Sequence, residues 1–190
     1  MKLIDNLSEK LVDDLRVTMQ RDSRVSIAAA CFSVYAYEEL KAQLENIDEL
    51  RFLFTSPTFL QEKTAKARRE FYIPRRNREK ALHGSEFEIR LRNDFSQKAI
   101  SRECADWIRR KACFKSNQTA EGIPNFMTID SAEPVTYAPV NGFTRADLGC
   151  ERGNSLFTMI NRIDAPQSTQ YLELFNTIWN DKQRLQDVTD

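Results

Sequence analysis

A chain of 190 residues with 41% apolar and 10% aromatic content is long enough for one globular domain with a sizeable core. Its 28 Lys and Arg balance 28 Asp and Glu, so overall basicity is excluded as a source of nucleic-acid affinity and any such surface must come from charge segregation. The opening MKLIDNLSEKLVDDLR has no signal-peptide apolar core, and no run of about 18 apolar residues occurs, so a cytoplasmic protein with reduced thiols is expected.

Residues 6–20 carry Leu7, Leu11 and Leu15 at intervals of four, widened by Val12 and Met19. The spacing predicts an amphipathic helix with Ser8 as a candidate cap. Residues 23–32, with Val25-Ser26-Ile27-Ala28-Ala29-Ala30-Cys31-Phe32 as their body, form a near-continuous apolar run. That is the pattern of a strand covered on both faces. Residues 35–45 read as a helix through Leu40 and Leu44, and residues 50–54 as the next strand. The order strand–helix–strand predicts a βαβ unit with a right-handed crossover.

Ser56-Pro57 ends that strand, and a basic segment follows. Between residues 61 and 80, Lys63, Lys66, Arg68, Arg69, Arg75, Arg76, Arg78 and Lys80 face only Glu62, Glu70 and Glu79. The local charge is therefore about +5, enough to create an anion-attracting surface. Phe71 and Tyr72 lie inside this stretch, and Pro74 interrupts any helix there. It is a candidate phosphate-contacting loop, with a solvated, partly helical connection as the alternative.

Residues 87–92 alternate apolar and charged, which predicts a half-exposed strand. A helix is expected over residues 97–111, with Ala99, Ile100, Cys104, Trp107 and Ile108 on its apolar face and Ser96 as N-cap. Arg109, Arg110 and Lys111 stand at its C-terminal end, where cations favour the helix dipole, so this cluster has a structural explanation ahead of a nucleic-acid one. Residues 112–115 read as a short strand and residues 116–122 as a polar loop.

Residues 126–130 and 135–140 alternate around Ser131-Ala132-Glu133-Pro134 and predict a β-hairpin. The chain then enters Asn141-Gly142-Phe143-Thr144 and passes through Asp147-Leu148-Gly149 and Arg152-Gly153-Asn154, the densest Gly and Asn cluster in the sequence. A buried hairpin feeding a tight Gly/Asn turn is where an α/β fold places a ligand site. Residues 155–160 read as another strand and Ala165-Pro166 as a break. A closing helix is expected over residues 167–185, with Tyr171, Leu174, Phe175, Ile178 and Trp179 inward.

Four cysteines without a CxxC pair and a single histidine argue against zinc. Cys31 and Cys113 sit in apolar runs and read as small core residues. No GxxxxGK[ST] loop is present, so the chain is not itself an ATP-driven motor. Asp130, Asp147 and Glu151 are acids able in principle to hold Mg²⁺, although acids at strand ends and turns are more often solvated or capping.

Residues 139–149, PVNGFTRADLG, resemble the GSxNFT…GL segment that follows the His-x-Lys signature of phospholipase D-like nucleases. Residues 25–54 are similar to the opening βαβ of those domains. Ile89-Arg90-Leu91-Arg92-Asn93, Cys104-Ala105-Asp106-Trp107-Ile108 and residues 137–149 are similar to the N-terminal domain of large bacterial Swi/Snf-type helicases, in which a degenerate phospholipase D-like module precedes the motor. The likeness covers nearly the whole chain, and residues 175–190 look like the point where such proteins continue towards the motor. It implies a single phospholipase D-like domain over residues 1–190, a fragment of a larger helicase-like protein. The fold implied is α/β: an α/β/α sandwich with a central mixed sheet and flanking helices.

In that family a His attacks phosphorus and a Lys neutralises the developing charge, and the chemistry needs both. Here the matching strand reads Asn125-Phe126-Met127-Thr128-Ile129, and Gly-Ser-x-Asn becomes Pro139-Val140-Asn141-Gly142. The lone histidine, His83, is followed by Gly84-Ser85 and does not supply the motif. The resemblance thus implies a relic cleft around Asn125, Met127, Tyr137, Asn141, Gly142, Thr144 and Asn154, with no catalytic residue, metal or cofactor.

The function expected is a non-catalytic nucleic-acid-binding or targeting domain of a helicase-like protein. Arg68, Arg69, Arg75, Arg76 and Arg78 would contact phosphates and Tyr72 would stack on a base. The partners expected are DNA rather than RNA and a C-terminal helicase motor in the same chain, with no membrane. The alternatives are a protein-docking or dimerisation module, pairing with a second copy through the sheet's apolar edge, and a residual phosphodiesterase.

Overall fold

A computed structural model describes residues 2–56, 60–61, 71–72, 95–153 and 158–189, with the backbone alone described at 60–61, 71–72 and 95–98. In chain order the elements are β1 (Lys2–Ile4), α1 (Leu11–Thr18), β2 (Arg24–Ala29), α2 (Val34–Glu39), α3 (Lys41–Asn46) and β3 (Glu49–Phe54). There follow β4 (Leu60–Gln61), β5 (Phe71–Tyr72), α4 (Phe95–Lys111), β6 (Ala112–Asn117), β7 (Phe126–Asp130) and β8 (Val135–Ala138). The chain closes with β9 (Ile160–Ile163), α5 (Gln167–Trp179) and β10 (Leu185–Asp187). Among the described residues these make a mixed α/β fold with five helices and one 8-stranded sheet, ordered β1-β9-β8-β7-β2-β3-β6-β10. Strands β2, β3 and β6 run parallel to one another, and the other neighbours in the sheet are antiparallel.

The apolar run of β2 sits in the middle of this sheet because both of its faces have something to bury. Val25 and Ile27 join Leu50, Phe52, Met127, Ile129 and Tyr137 in a core covered by Leu11, Leu15, Tyr37, Leu44 and Trp107. Ala28 points the other way, with Leu53 and Phe126, against Phe175 and Trp179 of α5. The alternation of side chains along a strand produces both clusters from the same hexapeptide. The expected strands β2 and β3 and the hairpin β7–β8 are present, the hairpin in the register Met127↔Tyr137, Thr128↔Thr136 and Ile129↔Val135.

Other elements differ from the sequence reading. The first helix starts at Leu11 because the chain before it closes on the Asp5 carboxylate. One Asp5 oxygen accepts the backbone N–H groups of Leu7, Ser8 and Glu9 at 2.8, 2.9 and 3.0 Å. Ser8 donates its hydroxyl to Asp5 instead of capping, and Leu7 stands 74% exposed. Such Asx turns compete with helix for the same backbone donors. Residues 35–45 divide into α2 and α3 at Leu40, which leaves helical geometry at ψ 14° while its side chain stays fully buried. Ser33 caps α2 by accepting the Tyr35 N–H at 3.1 Å.

At the C-terminal side, β9 is Ile160–Ile163, later than expected, and α5 ends at Trp179. Asp181 then accepts the N–H groups of Gln183 and Arg184, and the chain turns into β10, which pairs with β6. Leu174 is exposed, and Leu172 takes the inward position beside Phe175. Ser96 falls inside α4, one residue past its start. Cys104 is the buried cysteine, whereas Cys31 and Cys113 are only half-buried, Cys113 packing at the margin of the Phe175–Trp179 cluster. The strand expected over residues 87–92 and His83 lie outside the described residues. No described helix is long and apolar enough to cross a membrane.

The basic end of α4 is absorbed by packing. Lys111 donates to the carbonyls of Glu45 and Ile47 at 2.8 and 2.7 Å, closing the C-terminal end of α3. Arg110 reaches the Glu45 carboxylate at 3.2 Å and Arg109 pairs with Asp106. One turn earlier the Trp107 indole donates to the Leu44 carbonyl at 3.0 Å.

Candidate functional site

After β8 the chain runs on beside the end of β2. The Ala30 N–H donates to the Asn141 carbonyl at 2.9 Å, the Phe143 N–H to Cys31 at 2.8 Å, and the Ser33 N–H to Phe143 at 2.9 Å. Phe143 stacks on Phe32 with ring centroids 5.5 Å apart. Thr144 then turns the chain. Its hydroxyl donates to Asp147 Oδ2 at 2.5 Å and accepts the Asp147 N–H at 3.1 Å.

This turn is joined to the loop before α1. Asn6, at φ 57°, donates its side-chain amide to the Asp147 carbonyl at 2.7 Å and accepts the Leu11 N–H at 2.9 Å. Gly149 sits against Asn6 at φ +79°, where a Cβ would lie 2.8 Å from the Asn6 side-chain oxygen. Only glycine combines that left-handed backbone with so close an approach. Gly142 is equally confined: a Cβ there would lie 2.6 Å from Asp147 Oδ2 and 2.7 Å from the Cys31 sulfur.

Between the two loops opens a cleft of about 800 Å³. Its charged and polar lining includes Asp5, Lys10, Asn141, Asp147, Glu151 and Arg152, and Leu7 and Met159 are among its apolar positions. Hydrogen bonds from the backbone of Glu9 and Leu7 hold Asp5 well below the usual carboxylate range. Burial raises Asp147, against the hydrogen bonds from Thr144. Burial, reinforced by Glu39, pushes the Cys150 thiol up to about 11, so it is no ready nucleophile at neutral pH.

The expected relic-cleft residues divide between this cleft and the core. Asn141 is exposed and lines it. Gly142 and Thr144 are buried just beneath, shaping the turn. Met127 and Tyr137 are fully buried and do not reach it. Paired in register, they point together towards α1, where the Tyr137 hydroxyl meets Asp14 and Thr18. Asn125 precedes β7, accepts the Val140 N–H at 3.2 Å through its backbone carbonyl, and keeps a buried side-chain oxygen without a partner among the described residues. Asn154 lies outside the described residues, as do Arg68, Arg69, Arg75, Arg76 and Arg78. Of Tyr72 the backbone alone is described, paired with Leu60.

Two of the three acids considered for Mg²⁺ have other engagements, and the third stands apart from them. Asp147 is bound to Thr144 and Glu151 pairs with Arg145 at 3.6 Å. Asp130 ends β7 on the surface, opposite Arg24. Among the described residues no three His, Cys, Asp or Glu side chains come together as a metal site would require.

Sequence reasoning missed the contribution of residues 5–10. The available signal is the Asp5-Asn6 dipeptide followed by Ser8, a turn-forming combination at the point where the leucine spacing predicts a helix. No family model matches the chain, and no curated protein matches it at a significant level.

Proposed function

We propose that this chain is a non-catalytic nucleic-acid-binding or targeting domain, built on a degenerate phospholipase D-like α/β/α scaffold and serving a helicase-like protein. The observation that carries the reading is charge segregation. A chain of zero net charge places eight cations against three acids between residues 61 and 80. Phosphate backbones are attracted to such a segment regardless of sequence. Further support comes from the matching strand, which carries no His or Lys and buries Met127 in the core. Asn141, Gly142 and Thr144 shape the turn, and the buried Thr144 hydroxyl is committed to the Asp147 carboxylate within it. Binding without turnover fits these residues best.

The direct experiment is titration of labelled single- and double-stranded DNA with the chain at two salt concentrations. Binding that weakens steeply with salt is expected. Absence of binding at low salt would overturn the reading in favour of a protein-docking module.

A further inference from the structure

The cleft between the α1 loop and the 144–149 turn has an uneven supply of charge. Each acid on its wall is already engaged: Asp5 by three backbone N–H groups and Ser8, Asp147 by Thr144, Glu151 by Arg145. The two cations on the wall, Lys10 and Arg152, are exposed and have no ion-pair partner among the described residues. The acids keep their charge but have oxygens occupied within the protein, so Lys10 and Arg152 are the charged groups the wall leaves open to a ligand. Such cations bind phosphate oxygens readily, Arg152 with two parallel donors.

Its apolar surface is also unusual. Leu7 is 74% exposed and Met159 65% exposed, and both line this one cleft. Exposed large side chains gathered at a concave site mark a ligand surface more than scattered ones do. Asn141, exposed on the same wall, carries the donor–acceptor pair that matches a base edge. The volume of about 800 Å³ lies within the range of small-molecule sites. The walls are fixed in advance, because Asn6 and Gly149 hold left-handed backbone conformations and interlock.

We infer that this cleft binds a nucleoside phosphate, its phosphate on Lys10 and Arg152, its base against Leu7 and Met159 with Asn141 at the base edge. The ligand is either a free nucleotide or the terminal residue of a single strand. In the second case the cleft adds an end-binding site to the sequence-independent contacts of the basic segment, and the inference rests on the reading given above.

The test compares three probes by calorimetry and fluorescence anisotropy: deoxyadenosine monophosphate, inorganic phosphate, and a labelled 5′-phosphorylated single strand of ten nucleotides. They are measured on the parent chain and on Lys10→Ala with Arg152→Ala. Both side chains are exposed, so the variant should keep the parent's circular dichroism and melting. A loss of about tenfold or more in the variant, for the mononucleotide or for the strand, is expected. Loss for the mononucleotide assigns a free nucleotide, and loss for the strand alone assigns a chain end. Met159→Ala should weaken the same probe and leave inorganic phosphate unaffected. Affinity unchanged in the double variant for both organic probes, or inorganic phosphate bound as tightly as the mononucleotide, would overturn the site. Polymer binding that persists in that case leaves the basic-segment reading standing. Mononucleotide binding without any polymer binding would sustain the cleft and defeat the DNA reading.

Discussion

The Tyr137 hydroxyl donates to the Asp14 carboxylate at 2.7 Å, 123 residues apart in sequence, and so ties β8 to α1. Arg162 reaches the same carboxylate at 3.1 Å, and Thr18 meets the Tyr137 oxygen at 2.8 Å. Tyr137→Phe deletes the hydroxyl and keeps the ring, leaving Asp14 its Arg162 and Lys2 partners. A destabilisation of about 1–2 kcal/mol is expected in urea unfolding. DNA affinity should stay at the parent level, because this side chain serves the core and not the cleft.

Two aspartates should give opposite pH dependences. Burial opposes the ionisation of Asp14, but the Tyr137 hydrogen bond and the Arg162 charge outweigh it and hold the group below its usual value. Its stabilisation is complete above about pH 3.9 and is lost as pH falls through the folded value. Burial raises Asp147 instead, so the folded state holds that proton more tightly than the unfolded chain does. Its contribution is present below about pH 3.9 and is lost as pH rises through the folded value. Urea midpoints between roughly pH 3 and 7 should therefore show a flatter acid limb in Asp14→Asn and a removed decline with rising pH in Asp147→Asn. An Asp147→Asn profile parallel to the parent's would contradict this assignment.

Gly142 and Gly149 should resist substitution for different reasons. Gly142→Ala inserts a methyl group between Asp147 and Cys31, and overpacking of that kind costs about 1–3 kcal/mol. Gly149→Ala adds the cost of a left-handed backbone, roughly 1 kcal/mol or more, to its clash with Asn6. Gly122 has nothing within 4 Å of its would-be Cβ, and Gly122→Ala should stay within about 0.5 kcal/mol of the parent. Thermal melts of the three variants check the ranking.

The central strands were legible because their burial is written locally. The apolar run of β2 and the alternation of β7 and β8 identify them without tertiary information. The outer strands were not legible: the edge strands β1 and β10 are 3 residues each, and β9 beside β1 reads Ile-Asn-Arg-Ile, too short and too polar to carry a period. The α1 start was misplaced because Leu7 keeps the helical spacing while Asp5 withdraws the backbone donors the helix would need. The turn at residues 141–149 was legible as a Gly and Asn cluster. Its opposite wall was not, since Asn6 meets Asp147 across 141 residues and no local pattern announces that contact.

The most direct test of the central claim is the salt dependence of DNA affinity in Arg75→Ala with Arg76→Ala, compared with the parent chain. Each lost phosphate contact lowers the slope of log affinity against log salt by about 0.9 on duplex DNA, so a fall of roughly two is expected, with weaker binding at low salt. A variant that binds with the parent's slope would remove the basic segment from the interface and contradict the account.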